Sequence, residues 1–364
     1  TVTASSITIS GADAGNYTLA TTSRTTTANI TQKALTASMV VADKTYDATT
    51  TATPTFTIIS GLVNSQTLTV TGTATFSSAN AGSRTATAQT VSLSNGTGLA
   101  SNYSLSAGQT DTATINKANL IVTGSEVYDS TTSFSPSNLI ITGVNGQTFT
   151  ATGTATLSSA NVQTNQPLSS ISLTLSGVSG ASTSNYNTLT VSQTSVSVTP
   201  KTLTASMIAA DKTYDGTTTA TPTFTISGLI GSQTLVVTGT ATFDSANAGS
   251  RTATAQTVSL ANGTNGGLAS NYSLSAGQTD AATIAKATLT VTGVTTNVTY
   301  NASSQSNSGA TLSGRQGSDV FTVSGYATGT NAATYNDNLS ATSSASANYN
   351  ISYVNGALII APKC

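Results

Sequence analysis

The sequence predicts an all-β chain: a tandem array of small antiparallel β-sandwich modules strung into an elongated rod. Three observations lead there. A tyrosine-centred motif returns at a nearly fixed interval. The composition favours strands and turns over helices. Within the interval at 34–117, apolar and hydroxyl side chains alternate with a period of two.

The motif is fullest at Asp211-Lys212-Thr213-Tyr214-Asp215-Gly216-Thr217-Thr218 and nearly identical at Asp43-Lys44-Thr45-Tyr46-Asp47-Ala48-Thr49-Thr50. Looser copies stand at Tyr128-Asp129-Ser130-Thr131 and Tyr300-Asn301-Ala302-Ser303. The four tyrosines are 82, 86 and 86 residues apart. A long, fixed period means one small folded module per copy, with the modules in tandem. The 364 residues are therefore expected to form four complete modules and a fragment, each with its own thin core.

Charged residues make up 6% of the chain, against roughly 25% in an ordinary soluble protein. Thr favours strands, Gly, Asn and Ser favour turns, and Glu126 is the only glutamate. With 11 basic and 12 acidic residues, no basic stripe exists to neutralise a phosphate backbone, so nucleic acid is not an expected partner. The longest apolar run is of the order of Ala357–Ala361, too short to insert in a membrane as a helix. The chain starts without Met and reads as an internal or processed piece. Its one cysteine, Cys364, is either a lone thiol at a truncation point or half of a bridge to residues outside this sequence.

In order, Lys33, Lys117, Lys201, Lys286 and Lys363 close successive units at spacings of 84, 84, 85 and 77. The expected modules are residues 34–117, 118–201, 202–286 and 287–364, with 1–33 the second half of a truncated or complemented module. Strand-like residues follow the lysines with no flexible linker, which predicts restricted hinge motion. In the module at 34–117, Leu68, Val70, Gly72, Ala74 and Phe76 fall on one face and threonines on the other. The phase changes between Ala88 and Val91, which predicts a bulge. Six or seven such strands per module point to an Ig-like sandwich. Asn95-Gly96, Asn145-Gly146, Asn262-Gly263 and Asn355-Gly356 are expected tight turns. A β-solenoid is the alternative fold, but no short period supports it.

The candidate functional residues are the recurring ones. Tyr46-Asp47, Tyr128-Asp129, Tyr214-Asp215 and Tyr300 read as structural turns, the tyrosine packing and the carboxylate accepting from the following Thr-Thr backbone. Asn102-Tyr103, Asn185-Tyr186, Asn271-Tyr272 and Asn348-Tyr349, with Asn16-Tyr17, resemble corner tyrosines that anchor a late strand. With no His, the common nucleophile–base systems are unavailable. The dispersed aspartates lack metal-ligand spacing, and no cofactor is expected. Lys44 and Lys212 are candidates for an intramolecular Lys–Asn isopeptide bond, beside Asp43, Asp47, Asp211 and Asp215. Asn-x-Ser/Thr triplets, among them Asn271-Tyr-Ser, are candidate glycosylation sites.

At Lys-Thr-Tyr-Asp-Gly-Thr-Thr the chain resembles the YDG repeats of large bacterial surface and secreted proteins. Its final module, with Val-Thr-Tyr-Asn and Tyr-Val-Asn-Gly-Ala-Leu-Ile-Ile, is similar to MBG repeats. The resemblance implies filamentous-haemagglutinin-like exoproteins exported by two-partner secretion, an extracellular location and a stalk role without catalysis. The expected partners are neighbouring modules and, in a second reading, identical chains in a self-assembling filament or biofilm-matrix fibre. Glycan or host-ligand recognition by an exposed loop is a third reading.

Overall fold

The computed structural model describes residues 1–364. It is all-β, with short 3-10 turns and no α-helix. Two compact units form. One comprises residues 1–124, 134–156 and 166–196, and the other comprises residues 125–133, 157–165 and 197–364. The repeat at 118–201 thus contributes to both, so the units do not follow the expected module boundaries.

In the first unit, residues 34–116 build two sheets. Thr36–Val41 pairs antiparallel with Pro54–Ser60. A five-stranded sheet runs Lys44–Thr45, Thr110–Asn116, Gly82–Asn95, Leu68–Phe76, Thr51–Ala52. The two-residue strands flanking the Tyr-Asp turn exceed the six or seven strands expected; they are too short to show a period. Along Leu68–Phe76 the apolar positions are the less exposed ones, ending in buried Ala74 and Phe76. The register with Gly82–Asn95 shifts between Thr73 and Ala74, so Gln89 bulges out where the phase changes. Lys33–Ala34 pairs in parallel with Tyr103–Ser104. The lysine therefore opens its repeat rather than closing the previous one, and Lys201–Thr202 does the same against Tyr272–Ser273.

Residues 1–33 contribute Val2–Ala4 paired with Arg24–Thr26. Ile30 is fully exposed, whereas Val198 and Ile360, in the matching Val-Thr-Pro-Lys and Ile-Ala-Pro-Lys stretches, are buried. From the next repeat, residues 121–124 pair with 139–142, and 149–156 pair with 170–177.

In the second unit, residues 202–285 repeat the same two-sheet pattern. In the last repeat, Ala287–Gly293 lies between Ala310–Ser313 and the parallel strand Tyr349–Val354. Thr296–Thr299 runs parallel to Ala357–Ala361. The expectation of a separate core per module does not hold here. One buried cluster runs from Met207, Phe243 and Ile284 to Leu289, Val291 and Tyr349. The reason is covalent: Ala287, Leu289 and Val291 follow Lys286 directly and are already buried.

Of the Asn-Gly pairs, Asn145-Gly146 adopts positive φ at both residues, 51° and 71°. Asn95-Gly96 and Asn262-Gly263 do not. Their glycines are needed for close approach, since a Cβ on Gly96 or Gly263 would lie 2.4 or 2.1 Å from the carbonyl oxygen of Thr67 or Thr234.

Candidate functional site

Each Tyr-Asp turn is a local hydrogen-bonded unit. The Asp47 carboxylate accepts from the Thr49 N–H and hydroxyl, both at 2.8 Å. Asp129 and Asp215 do the same with Thr131 and Thr217. The residue after the acid has φ between 64° and 79° in all four copies: Ala48, Ser130, Gly216 and Ala302. This left-handed conformation is why the fullest motif carries glycine there. In the last copy Asn301 keeps the same turn, accepting from the Ser303 N–H. Gln305 there donates to Asn301 and to the Thr299 carbonyl.

The lysine of the motif is fully engaged. Lys44 Nζ donates to Asp47 at 2.7 Å and to Thr49 O, Thr49 Oγ1 and Thr51 O at 2.9, 3.1 and 3.0 Å. It also lies 5.7 Å from the Phe76 ring centroid. Lys212 repeats this with Asp215, Thr217, Thr219 and Phe243. No asparagine carboxamide is among these partners, so neither candidate lysine is arranged for an isopeptide bond. An ammonium saturated by a carboxylate and backbone carbonyls is a clamp on the turn. Burial raises the carboxyl pKa of Asp47 and Asp215, but the lysine and the threonine donors outweigh it and hold both below the ordinary value.

The turn tyrosine is anchored by its backbone. Tyr46 N–H donates to Asn116 O, Tyr128 to Thr199, Tyr214 to Ala285 and Tyr300 to Ala361. In the first three copies its ring reaches into the next repeat and meets the tyrosine of the Asn-Tyr pair there. In the first unit, Tyr46 and Tyr186 stand edge to face at 5.5 Å. In the second unit, Tyr128 meets Tyr272 at 5.4 Å and Tyr214 meets Tyr349 at 5.3 Å. All six rings are buried.

A polar side chain bridges each pair of hydroxyls. Gln147 donates to Tyr46 at 3.0 Å and accepts from Tyr186 at 2.5 Å. Gln233 donates to Tyr128 at 2.8 Å and accepts from Tyr272 at 2.5 Å. At the third joint both hydroxyls donate to Asp319 Oδ2, from Tyr214 at 3.0 Å and from Tyr349 at 2.6 Å. Burial raises the pKa of Tyr186 and Tyr214. Tyr349 is pushed up to about 12 by burial, then by its bond to the Asp319 carboxylate.

The asparagine of the Asn-Tyr pair makes a second clasp. Asn185 accepts from the Ala81 N–H and donates to Asn80 Oδ1. Asn271 does so with Val162 and Asn161, and Asn348 with Ala248 and Asn247. These three asparagines are buried to 5% exposure or less. Asn271 is therefore closed to sugar attachment in the folded chain, whereas Asn350, in the triplet Asn350-Ile351-Ser352, is exposed. Asn102 is exposed too, as are Asn16 and Tyr17. Tyr103 is buried within its own repeat, donating to Gln66 at 2.6 Å and accepting from the Val63 N–H. Tyr300 is half-buried beside Leu358 and Ile360.

The bridging residues Gln147, Gln233 and Asp319 were not singled out from sequence. The two glutamines share one recurrence with Gln66, each preceding a Thr at or just before a long strand; Asp319 is outside that pattern. Arg84 was also missed. It holds the Asn80-Ala81 loop by donating to both carbonyls, as Arg251 does for Asn247-Ala248.

No group of three or more His, Cys, Asp or Glu side chains converges. Most aspartates serve the backbone: Asp43 and Asp111 accept from the Thr114 and Val41 N–H groups, and Asp211 and Asp280 do so for Thr283 and Ala209. Cys364 is free and exposed. No helix is long and apolar enough to cross a membrane.

No curated protein matches the chain. The family model of the YDG domain matches twice, over residues 31–114 and 199–282. The chain therefore contains a YDG repeat region, its two matched copies those with the Lys-Asp-clamped turn.

Proposed function

We propose that this chain is a stalk or spacer segment of a bacterial extracellular adhesin, at the cell surface or secreted, with no catalytic role. In this reading the repeats are Ig-like sandwiches set end to end in a rod, and their partners are the neighbouring repeats of the same chain. Neither nucleic acid nor a cofactor takes part. One observation carries the proposal. The most recurrent residues, the turn tyrosine and the Asn-Tyr pair, engage the adjacent repeat at three successive joints. Residues kept for a ligand would be expected on one repeat, facing solvent. Stretching single molecules tests this. The expected record is a series of unfolding events spaced by about 250 Å, the extended length of one repeat less its folded length. Extension without regular events would contradict a mechanical tether.

A second reading is a subunit of a self-assembling extracellular filament or biofilm-matrix fibre. It rests on a net charge of −1 and on the scarcity of Lys and Glu to guard strand edges, which leave little repulsion between chains. Fibres growing with concentration under negative stain would support it; unchanging single particles would exclude it.

A further inference from the structure

The three joints differ in one chemical respect. The first two bridge their tyrosine hydroxyls with a neutral carboxamide that donates to one and accepts from the other. The third uses one carboxylate oxygen that accepts from both. We propose that the joint at Asp319 is an acid-sensitive release point in a series whose other two joints are bridged by a group that does not ionise. This rests on the reading of the joints as what holds successive repeats together.

The physical reason lies in the acceptor. An ionised carboxylate accepts two hydroxyl hydrogen bonds as charge-assisted bonds, roughly twice as strong as neutral ones. A protonated carboxyl offers a weaker carbonyl oxygen and a hydroxyl that needs an acceptor of its own. A carboxamide undergoes no such change in acid. Tyr214 and Tyr349 remain protonated in acid. Asp215, on the turn that carries Tyr214, is paired with Lys212 at 2.8 Å. Phe321, against the Tyr349 ring, is neutral. On the loop of Asp319 itself, Arg315 is exposed, and Gln316 contributes its N–H to Tyr349. The first joint controls for the turn, because Tyr46 is followed by the same Lys44–Asp47 clamp.

The experiment is hydrogen exchange on the whole chain, corrected for intrinsic rates, from about pH 6 to about pH 3. The Gln316 and Ala248 amides report on the Asp319 joint. Ile230 and Val162 report on the second joint, and Val144 and Ala81 on the first. The expected result is about tenfold loss of protection at Gln316 and Ala248 in acid, the difference between charged and neutral bonds. The other four amides should hold. Asp319→Gln should abolish the selective loss, and Gln233→Glu should transfer it to Ile230 and Val162. Equal loss at all three joints, or selective loss that survives in Asp319→Gln, would overturn the proposal. Unprotected reporter amides at every joint near neutrality would instead overturn the reading of the joints themselves.

Discussion

Tyr46 and Tyr186 meet edge to face, their ring centroids 5.5 Å apart and their planes at 79°, with Gln147 joining the two hydroxyls. The edge of one aromatic ring is electropositive and the face of the other electronegative, so this geometry adds attraction to the apolar area it buries. Tyr46 belongs to the turn of one repeat and Tyr186 to the late strand of the next. The contact therefore makes the stability of one repeat depend on its neighbour.

Truncating one partner should show this dependence. Tyr272→Ala removes a buried ring and the acceptor for the Ile230 N–H, and should cost about 3–5 kcal/mol in urea unfolding. Tyr272→Phe keeps the ring pair but loses both the Gln233 bond and the acceptor for the Ile230 N–H, at about 1–3 kcal/mol. Equal losses for the two variants would place the energy in the hydroxyl instead.

The asparagine clasp predicts a contrast between chemically identical changes. Asn271→Ala leaves the Val162 N–H without its acceptor in a buried site and should cost about 1–3 kcal/mol. Asn102→Ala, at an exposed side chain, should stay within about 0.5 kcal/mol. Thermal melts of the two variants in parallel decide it.

At the turn, Ala48 holds φ at 64° where its counterpart Gly216 holds 79°. Ala48→Gly should stabilise the chain by about 1 kcal/mol by relieving left-handed strain, partly offset by the greater freedom of glycine when unfolded. Gly216→Ala should destabilise by a similar amount. Its added Cβ would meet nothing within 4 Å, so any loss is conformational.

Two pH limits follow from the shifted groups. Asp47 and Asp215 have pKa values lowered from 3.8 on folding. The stability they contribute is present above the unfolded value and is lost as pH falls through the lower folded value. Asp47→Asn should flatten part of the acid limb of a stability–pH curve. Tyr349 is raised from 10.0 to about 12. Its contribution is complete below the unfolded value and is lost as pH rises from about 10 to about 12. Tyr349→Phe should remove that alkaline loss.

Much of the fold was legible because strand patterning is local. The alternation over Leu68–Phe76, the phase change beside Gln89 and the Asp-to-Thr hydrogen bond of the turn each lie within a few residues. The joints were legible only as recurrence. Tyr46, Gln147 and Tyr186 are too far apart in sequence for any spacing rule, and a glutamine before a threonine has no intrinsic meaning. Asn95-Gly96 misled because glycine serves close approach as well as turns, and the Thr67 carbonyl that forces it lies just before another strand, far off in sequence. The shared core around Leu289 and Tyr349 was hidden because periodicity tells which face is buried, not what covers it.

The central claim, repeats held end to end as a stalk, is tested most directly by small-angle X-ray scattering over a concentration series. A rod on the order of 170 Å long, at about 35–40 Å per repeat, has a radius of gyration of about 50 Å. A compact globule of this chain length would give about 21 Å. A value near the first that does not change with concentration is the predicted result. A value near the second would contradict the stalk.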